Sequence, residues 1–137
     1  MVDLVITAAN VAVPSTGART MTGVAGVTIT AGQTVYQDPT DSKLKLADCN
    51  SATVAQRVPL GVSLHGSLAG QPLTIQQEGP CTVGATLTPG VAYYQSATPG
   101  MICPVADLVA GCYPTVLGIA TSTTVLDLKI HASGASL

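Results

Sequence analysis

Thr30-Ala31-Gly32-Gln33-Thr34-Val35-Tyr36-Gln37 returns 58 residues later as Thr88-Pro89-Gly90-Val91-Ala92-Tyr93-Tyr94-Gln95. In each copy a Gly precedes a short run that ends on Gln, and a Gly there permits a tight turn with φ > 0 leading into a strand. Three further matches follow in the same order at nearly the same spacing. Ala47-Asp48 is answered by Ala106-Asp107, Leu60-Gly61-Val62 by Leu117-Gly118-Ile119, and Leu73-Thr74-Ile75 by Leu128-Lys129-Ile130. The pattern predicts two similar halves, about 24–79 and 82–134. Two copies are too few for an open solenoid. They are expected to close on one core as an all-β domain, a compact β-barrel or β-sandwich (β-tulip- or jelly-roll-like).

Within each half the strand signals are short. Val27-Thr28-Ile29, Thr34-Val35-Tyr36, Lys43-Leu44-Lys45-Leu46, Leu60 to Leu64 and Leu73 to Gln77 carry the alternation or β-branched enrichment of half-buried strands. Asp38-Pro39-Thr40-Asp41-Ser42 is a turn by composition. Asp48 to Arg57 is expected to hold one helical turn with Asn50 or Ser51 as its N-cap. A Gly inside Leu-Gly-Val and Leu-Gly-Ile marks a bulge or a close approach of a neighbouring backbone.

Composition narrows the function classes. The 137 residues are 47% hydrophobic, yet Phe and Trp are absent and only four Tyr occur. Charged residues make up 9%, against ~25% in an ordinary soluble domain. A disordered chain is excluded by the apolar share, and a collagen-like one by the lack of a three-residue Gly period. A helical bundle is excluded by the excess of Val, Thr and Gly over good helix formers. Five cations and a net charge of −2 do not suit nucleic acid. So few charges leave a lone particle poorly soluble, so much of the surface is expected to be covered by other protein.

The N-terminal stretch alternates at Leu4 and Ile6, then at Val11 and Val13, before Pro14 to Gly17. Residues 1–22 are expected to form an extended arm ahead of a single β domain at 23–137. The arm either serves as a first strand of its own domain or pairs with a neighbouring chain by strand addition. Leu4, Ile6, Val11, Val13 and Arg19 are the candidate contacts to a partner or another subunit, Arg19 through an ion pair that anchors the arm on a partner. No basic start precedes the apolar stretch, so it does not read as a signal peptide. Leu108 to Ala120 is too short and too broken by Gly111, Pro114 and Gly118 to span a bilayer.

Chemistry-bearing patterns are sparse. Cys49, Cys81, Cys103 and Cys112 form no C-x-x-C pair, so they read as small buried hydrophobes, with a Cys103–Cys112 bridge across a hairpin as the other reading. His65 and His131 read as polar strand or loop residues. No Gly-x-Ser-x-Gly elbow and no phosphate-binding Gly pattern occurs. Asp38 and Asp41 suit a turn rather than a catalytic pair. No enzyme, cofactor or metal site is expected. Tyr93, Tyr94 and Tyr113 are the candidates for sugar stacking in an alternative reading, a small β module of a fibre or surface assembly that recognises glycans.

A resemblance adds to this. Ala31 to Asp38, Lys45-Leu46-Ala47-Asp48, Pro59 to Leu64 and Ala69-Gly70-Gln71-Pro72-Leu73 resemble segments of the capsid decoration (cement) proteins of tailed bacteriophages. Val116 to Ala120 and Leu128 to Gly134 are similar to the same kind of segment, so the likeness spans roughly 24–134. It implies a β-rich structural protein of the virion, assembled in the host cytoplasm. Such a protein sits on the outer capsid surface as a homotrimer, sometimes a dimer, bridging copies of the major capsid protein after the shell expands. It carries over no catalytic residue, no nucleic-acid partner and no membrane partner. The absence of Phe and Trp and the four Cys depart from that pattern.

Overall fold

The computed structural model describes residues 3–12 and 18–136. Ten strands occur among them: β1 (Val11–Ala12), β2 (Arg19–Val24), β3 (Thr34–Gln37), β4 (Leu44–Leu46), β5 (Gly61–Ser63), β6 (Pro72–Val83), β7 (Ala92–Gln95), β8 (Ile102–Pro104), β9 (Thr115–Ala120) and β10 (Val125–Ala132). The protein is all-β. Its antiparallel sheet runs in the order β4-β3-β5-β6-β10-β9-β7-β8 and curls into a half-barrel.

That order is its own mirror under the sequence repeat. β3, β4, β5 and the start of β6 pair with one another as β7, β8, β9 and β10 do. β6 is shared. Its first part pairs with β5 and β2, and its second part with β10 and β1. The strand therefore continues beyond Gln77, through Gly79 at φ 93° and Pro80, where the composition reads as the end of a half. β2 likewise crosses the expected boundary between residues 22 and 23.

The Gly readings take physical form. Gly32 and Gly90 turn at φ 86° and 85° in front of β3 and β7. Gly61 and Gly118 sit where a neighbouring strand closes in, since a Cβ at Gly61 would lie 2.5 Å from the Gln76 carbonyl oxygen, and one at Gly118 would meet that of Asp127. The helical turn falls at Val54–Arg57, later than expected. Neither Asn50 nor Ser51 caps it. The Ser51 hydroxyl instead accepts from the Thr53 N–H and donates to Gln56 Oε1, which fixes the loop before the turn.

Two apolar clusters replace the single expected core. One gathers Ala25, Ile29, Val35, Leu44, Leu73 and Ile75 from the first half. The other holds Cys81, Val83, Leu87, Tyr93, Ile102, Leu117, Leu126 and Leu128, and takes in Val62 of β5. With no Phe or Trp, these aliphatic side chains carry the burial, at about 1.5–3 kcal/mol for each large one.

The reading of all four cysteines as small buried hydrophobes holds for Cys81 and Cys103 but not for Cys49 and Cys112, and the other reading, a Cys103–Cys112 bridge, does not form. Cys103 lies within β8 opposite Tyr94, while Cys112 precedes β9 and is joined to Cys49, with a Cα–Cα distance of 4.9 Å. The reason is long-range. The Tyr113 N–H donates to the Cys49 carbonyl at 2.8 Å, which draws the two loops together. Cys81 and Cys103 stay free and buried, and burial pushes their thiols up to about 12 and about 11.

Candidate functional site

The arm residues come together on their own domain. The Leu4 N–H donates to the Ile102 carbonyl at 2.8 Å on β8, and the Thr7 N–H to that of Gly84 at 2.7 Å. Leu4 and Ile6 are half-buried against the second cluster. Ile6 and Val11 close over Gly32, where a Cβ would lie 2.5 Å from Ile6 Cγ2 and 3.1 Å from Val11 Cγ2. Val5 between them points outward, 87% exposed. Val13 lies outside the described residues. Arg19 sits apart, on β2, donating to Gln77 Oε1 at 3.0 Å and lying 3.6 Å from Glu78 of the same chain. Both members of that pair are more than half exposed, so it contributes less than about 1 kcal/mol.

The polar side chains have local work. His65 accepts from the Thr74 N–H at Nε2 and its Nδ1 faces the Gly66 carbonyl, so it tethers a loop to β6. Lys45 Nζ lies 2.7 Å from Asp38 Oδ2 and 3.1 Å from Asp41 Oδ2. The Lys45 ammonium, with Thr40, holds the Asp38 carboxyl down at about 2, and the Lys43 N–H holds that of Asp41 below its usual range. Among the described residues no three of His, Cys, Asp and Glu gather as a metal-binding group. No helix among them is long and apolar enough to cross a membrane.

The tyrosines face inward or are covered. Tyr93 is buried and its hydroxyl accepts from the Thr88 N–H, Tyr94 is half-buried in β7, and the face of Tyr113 is taken by the Arg57 guanidinium, 3.7 Å from the ring centroid.

The outer face sets aliphatic side chains among charged ones. Three shallow hollows of about 80, 360 and 570 Å³ adjoin there, the first two sharing Val58 and the last two sharing Glu78, Lys129 and Ile130. They link Val54 and Val58 to Ile130 and Ile119 in one strip. Arg19, Glu78, Asp127, Lys129 and His131 lie along it. The repeat gives this strip its meaning. β5 is buried throughout, with Val62 wholly inaccessible, whereas its counterpart β9 leaves Ile119 52% exposed. Sequence reasoning missed the strip because Leu-Gly-Val and Leu-Gly-Ile read alike. The alternation of Asp127, Lys129 and His131 on β10 marks the solvent side but not which aliphatic residues join it.

No protein-family model matches the chain, and no curated protein matches it.

Proposed function

We propose that the chain is a structural virion protein that binds the outer surface of a phage capsid and cements the expanded shell by bridging capsomers. The observation that carries the reading is Ile119, half exposed at a position whose counterpart in the other half is core. Around it runs a strip of exposed aliphatic side chains edged by Arg19, Glu78, Asp127 and Lys129. Exposed apolar side chains rimmed by polar ones mark a surface that another protein covers.

The mechanism is mass action. A ligand that binds the assembled shell and not loose subunits stabilises the shell by an amount that grows with the logarithm of its concentration relative to its Kd. Many moderate contacts around a closed lattice then add through multivalency. The partners are the major capsid protein and further copies of this chain, a trimer by preference, because symmetric association covers the weakly charged flanks. The place of action is the virion surface, after synthesis in the host cytoplasm.

The test is co-sedimentation of the purified chain with expanded and unexpanded tailed-phage shells that lack decoration, beside native mass spectrometry. The expected result is an oligomer that adds to expanded shells and raises their melting temperature, with Ile119→Asp folding normally and binding at least tenfold more weakly. A strictly monomeric chain with no affinity for either shell overturns the proposal.

A further inference from the structure

The two halves meet at a seam that is rich in hydrogen bonds and poor in charge. The Thr34 N–H donates to the Gly100 carbonyl at 2.9 Å, and the Gly100 N–H to that of Ala47 at 2.7 Å. The Cys49 N–H donates to the Ser96 carbonyl at 3.3 Å. Gln95, wholly buried, donates from Nε2 to the Ala47 carbonyl at 2.9 Å and accepts from the Thr34 hydroxyl. Every one of these bonds joins a residue of the first half to one of the second. So does the Cys49–Cys112 disulfide, the one covalent link across the seam, at a sequence separation of 63.

We propose that Cys49 and Cys112 form a redox latch: the seam assembles by hydrogen bonding while both thiols are reduced, and oxidation then locks the two halves together. The inference does not rest on the capsid reading. Two features carry it. The seam bonds hold the two loops side by side without needing the link, so the reduced chain already presents the sulfurs to each other. Both cysteines are also 0% exposed, so neither oxidant nor reductant reaches them until the seam opens. When the thiols are free the loops part without a covalent restraint; once linked, the bond itself holds them closed. Reduction of the folded protein is therefore slower than reduction of the unfolded chain. Cys81 and Cys103 are poor exchange partners, since burial suppresses their thiolates.

The oxidant is a small-molecule disulfide of the glutathione type. A Cys49 or Cys112 thiolate attacks it, forms a mixed disulfide and releases one thiol. The second cysteine's thiolate displaces the other half, closing Cys49–Cys112 and releasing a second thiol. The two cysteines lose two electrons and two protons, which the small disulfide gains as two thiols. A reducing cytosol keeps the latch open and an oxidising exterior closes it.

The test starts from the full chain purified under reductant and then moved into oxidised glutathione. Denaturing alkylation with intact mass is expected to count four thiols before and two after, with a peptide map joining Cys49 to Cys112. Circular dichroism is expected to show the same β structure in both states. Closing a loop of this size raises the folding equilibrium constant about a thousand-fold. Native oxidised protein in dithiothreitol is expected to lose the bond many-fold more slowly than the same protein in denaturant. C49A and C112A cover a failure of either variant to fold. Under oxidant each alone is expected to cost as much stability as the double variant, because a link is lost whole when either end goes. Four thiols after oxidation, a link to Cys81 or Cys103, additive single variants, or reduction as fast in the native state as in denaturant each overturn the latch.

Discussion

Between β3 and β4 the chain turns through residues 38–43, and between β7 and β8 through residues 96–101. The same backbone bond closes both turns, but the Ser42 N–H donates within its own turn to the Asp38 carbonyl, whereas the Gly100 N–H reaches across the seam to that of Ala47. The Asp38 N–H donates to the Lys43 carbonyl and the Ser96 N–H to that of Met101, at 2.9 and 3.0 Å. Asp38 Oδ1 accepts from the Thr40 N–H as the Ser96 hydroxyl accepts from that of Thr98. Ser42 at φ 60° stands where Gly100 stands at φ 77°. The first turn meets water, and its capping oxygen is a carboxylate paired with Lys45. The second is tucked into the seam, and its capping oxygen belongs to a neutral hydroxyl on a residue with no exposed surface. A repeat can thus keep the bond that closes a turn and exchange the groups that meet a different dielectric.

The sharpest way to break this comparison is to give the buried turn the exposed turn's cap. Ser96→Asp keeps the acceptor for the Thr98 N–H but buries a carboxylate beside Asp3, to which the Ser96 hydroxyl now donates. An uncompensated buried charge costs about 3–5 kcal/mol. Urea denaturation of the variant is expected to show a loss of that order, while Asp38→Ser on the exposed turn is expected to lower the urea midpoint much less. Equal losses at the two positions refute the view that burial separates the turns.

Gly100→Ser comes next. The φ of 77° costs an L-residue about 1–2 kcal/mol. A Cβ there would also lie 2.9 Å from Leu46 Cδ2, within a packed seam. The expected loss is about 2–4 kcal/mol, read as a lower urea midpoint at unchanged slope.

These positions also mark where the sequence could and could not be read. Composition located the first turn, and the repeat located the Gly ahead of β3 and β7 and the Gly at which strands close in on β5 and β9, because each is a local backbone demand that only certain residues meet. Ser96 and Gly100 gave no sign of burial, since a cap and a positive φ look the same in water and in a seam. The Cys49–Cys112 link was hidden for the same reason. Its ends lie in unlike loops that meet only after the halves close. The continuation of β6 through Gly79 and Pro80 ran against turn-like composition, and only the ladder with β10, which sets Pro80 opposite Asp127, carries the strand on. Ile119 is the hardest case, because no periodicity tells which copy of a repeated strand is covered on both faces.

Acid titration sharpens the comparison at a smaller scale. The Lys45 ammonium and the Thr40 N–H and hydroxyl lower Asp38 from 3.8 to about 2 in the folded chain. A carboxyl held down in this way contributes stability fully above its unfolded value. The contribution is lost as the pH falls from about 4 through about 2. Asp41, lowered by the Lys43 N–H and by Lys45, adds to the same limb. Lys45, raised by Asp38 and Asp41, works in the opposite sense, losing its contribution only as the pH climbs beyond 10.5. The melting temperature of Asp38→Asn is expected to start lower at neutral pH and to fall less between pH 4 and 2. Ser96→Ala, which removes the corresponding cap of the second turn, is expected to leave that acid slope unchanged. A parallel shift of the whole profile in Asp38→Asn would take the ion pair out of the account.

Ser42→Gly has the smallest expected effect and tests the frame itself. Glycine relieves the steric cost of φ 60° but gives the unfolded chain more freedom to lose, and the two effects oppose each other at about 1 kcal/mol each. The bonds at this position are all backbone: the Ser42 N–H donates to the Asp38 carbonyl at 2.8 Å, and the Ser42 carbonyl accepts from Gln37 Nε2 at 3.1 Å. Both survive the change, so the urea midpoint is expected to move by no more than a few tenths of a kcal/mol in either direction. If Ser42→Gly instead destabilises the fold as strongly as Gly100→Ser does, the Ser42 side chain holds the exposed turn in a way its buried counterpart does without. The two hairpins would then be different structures that share a sequence offset.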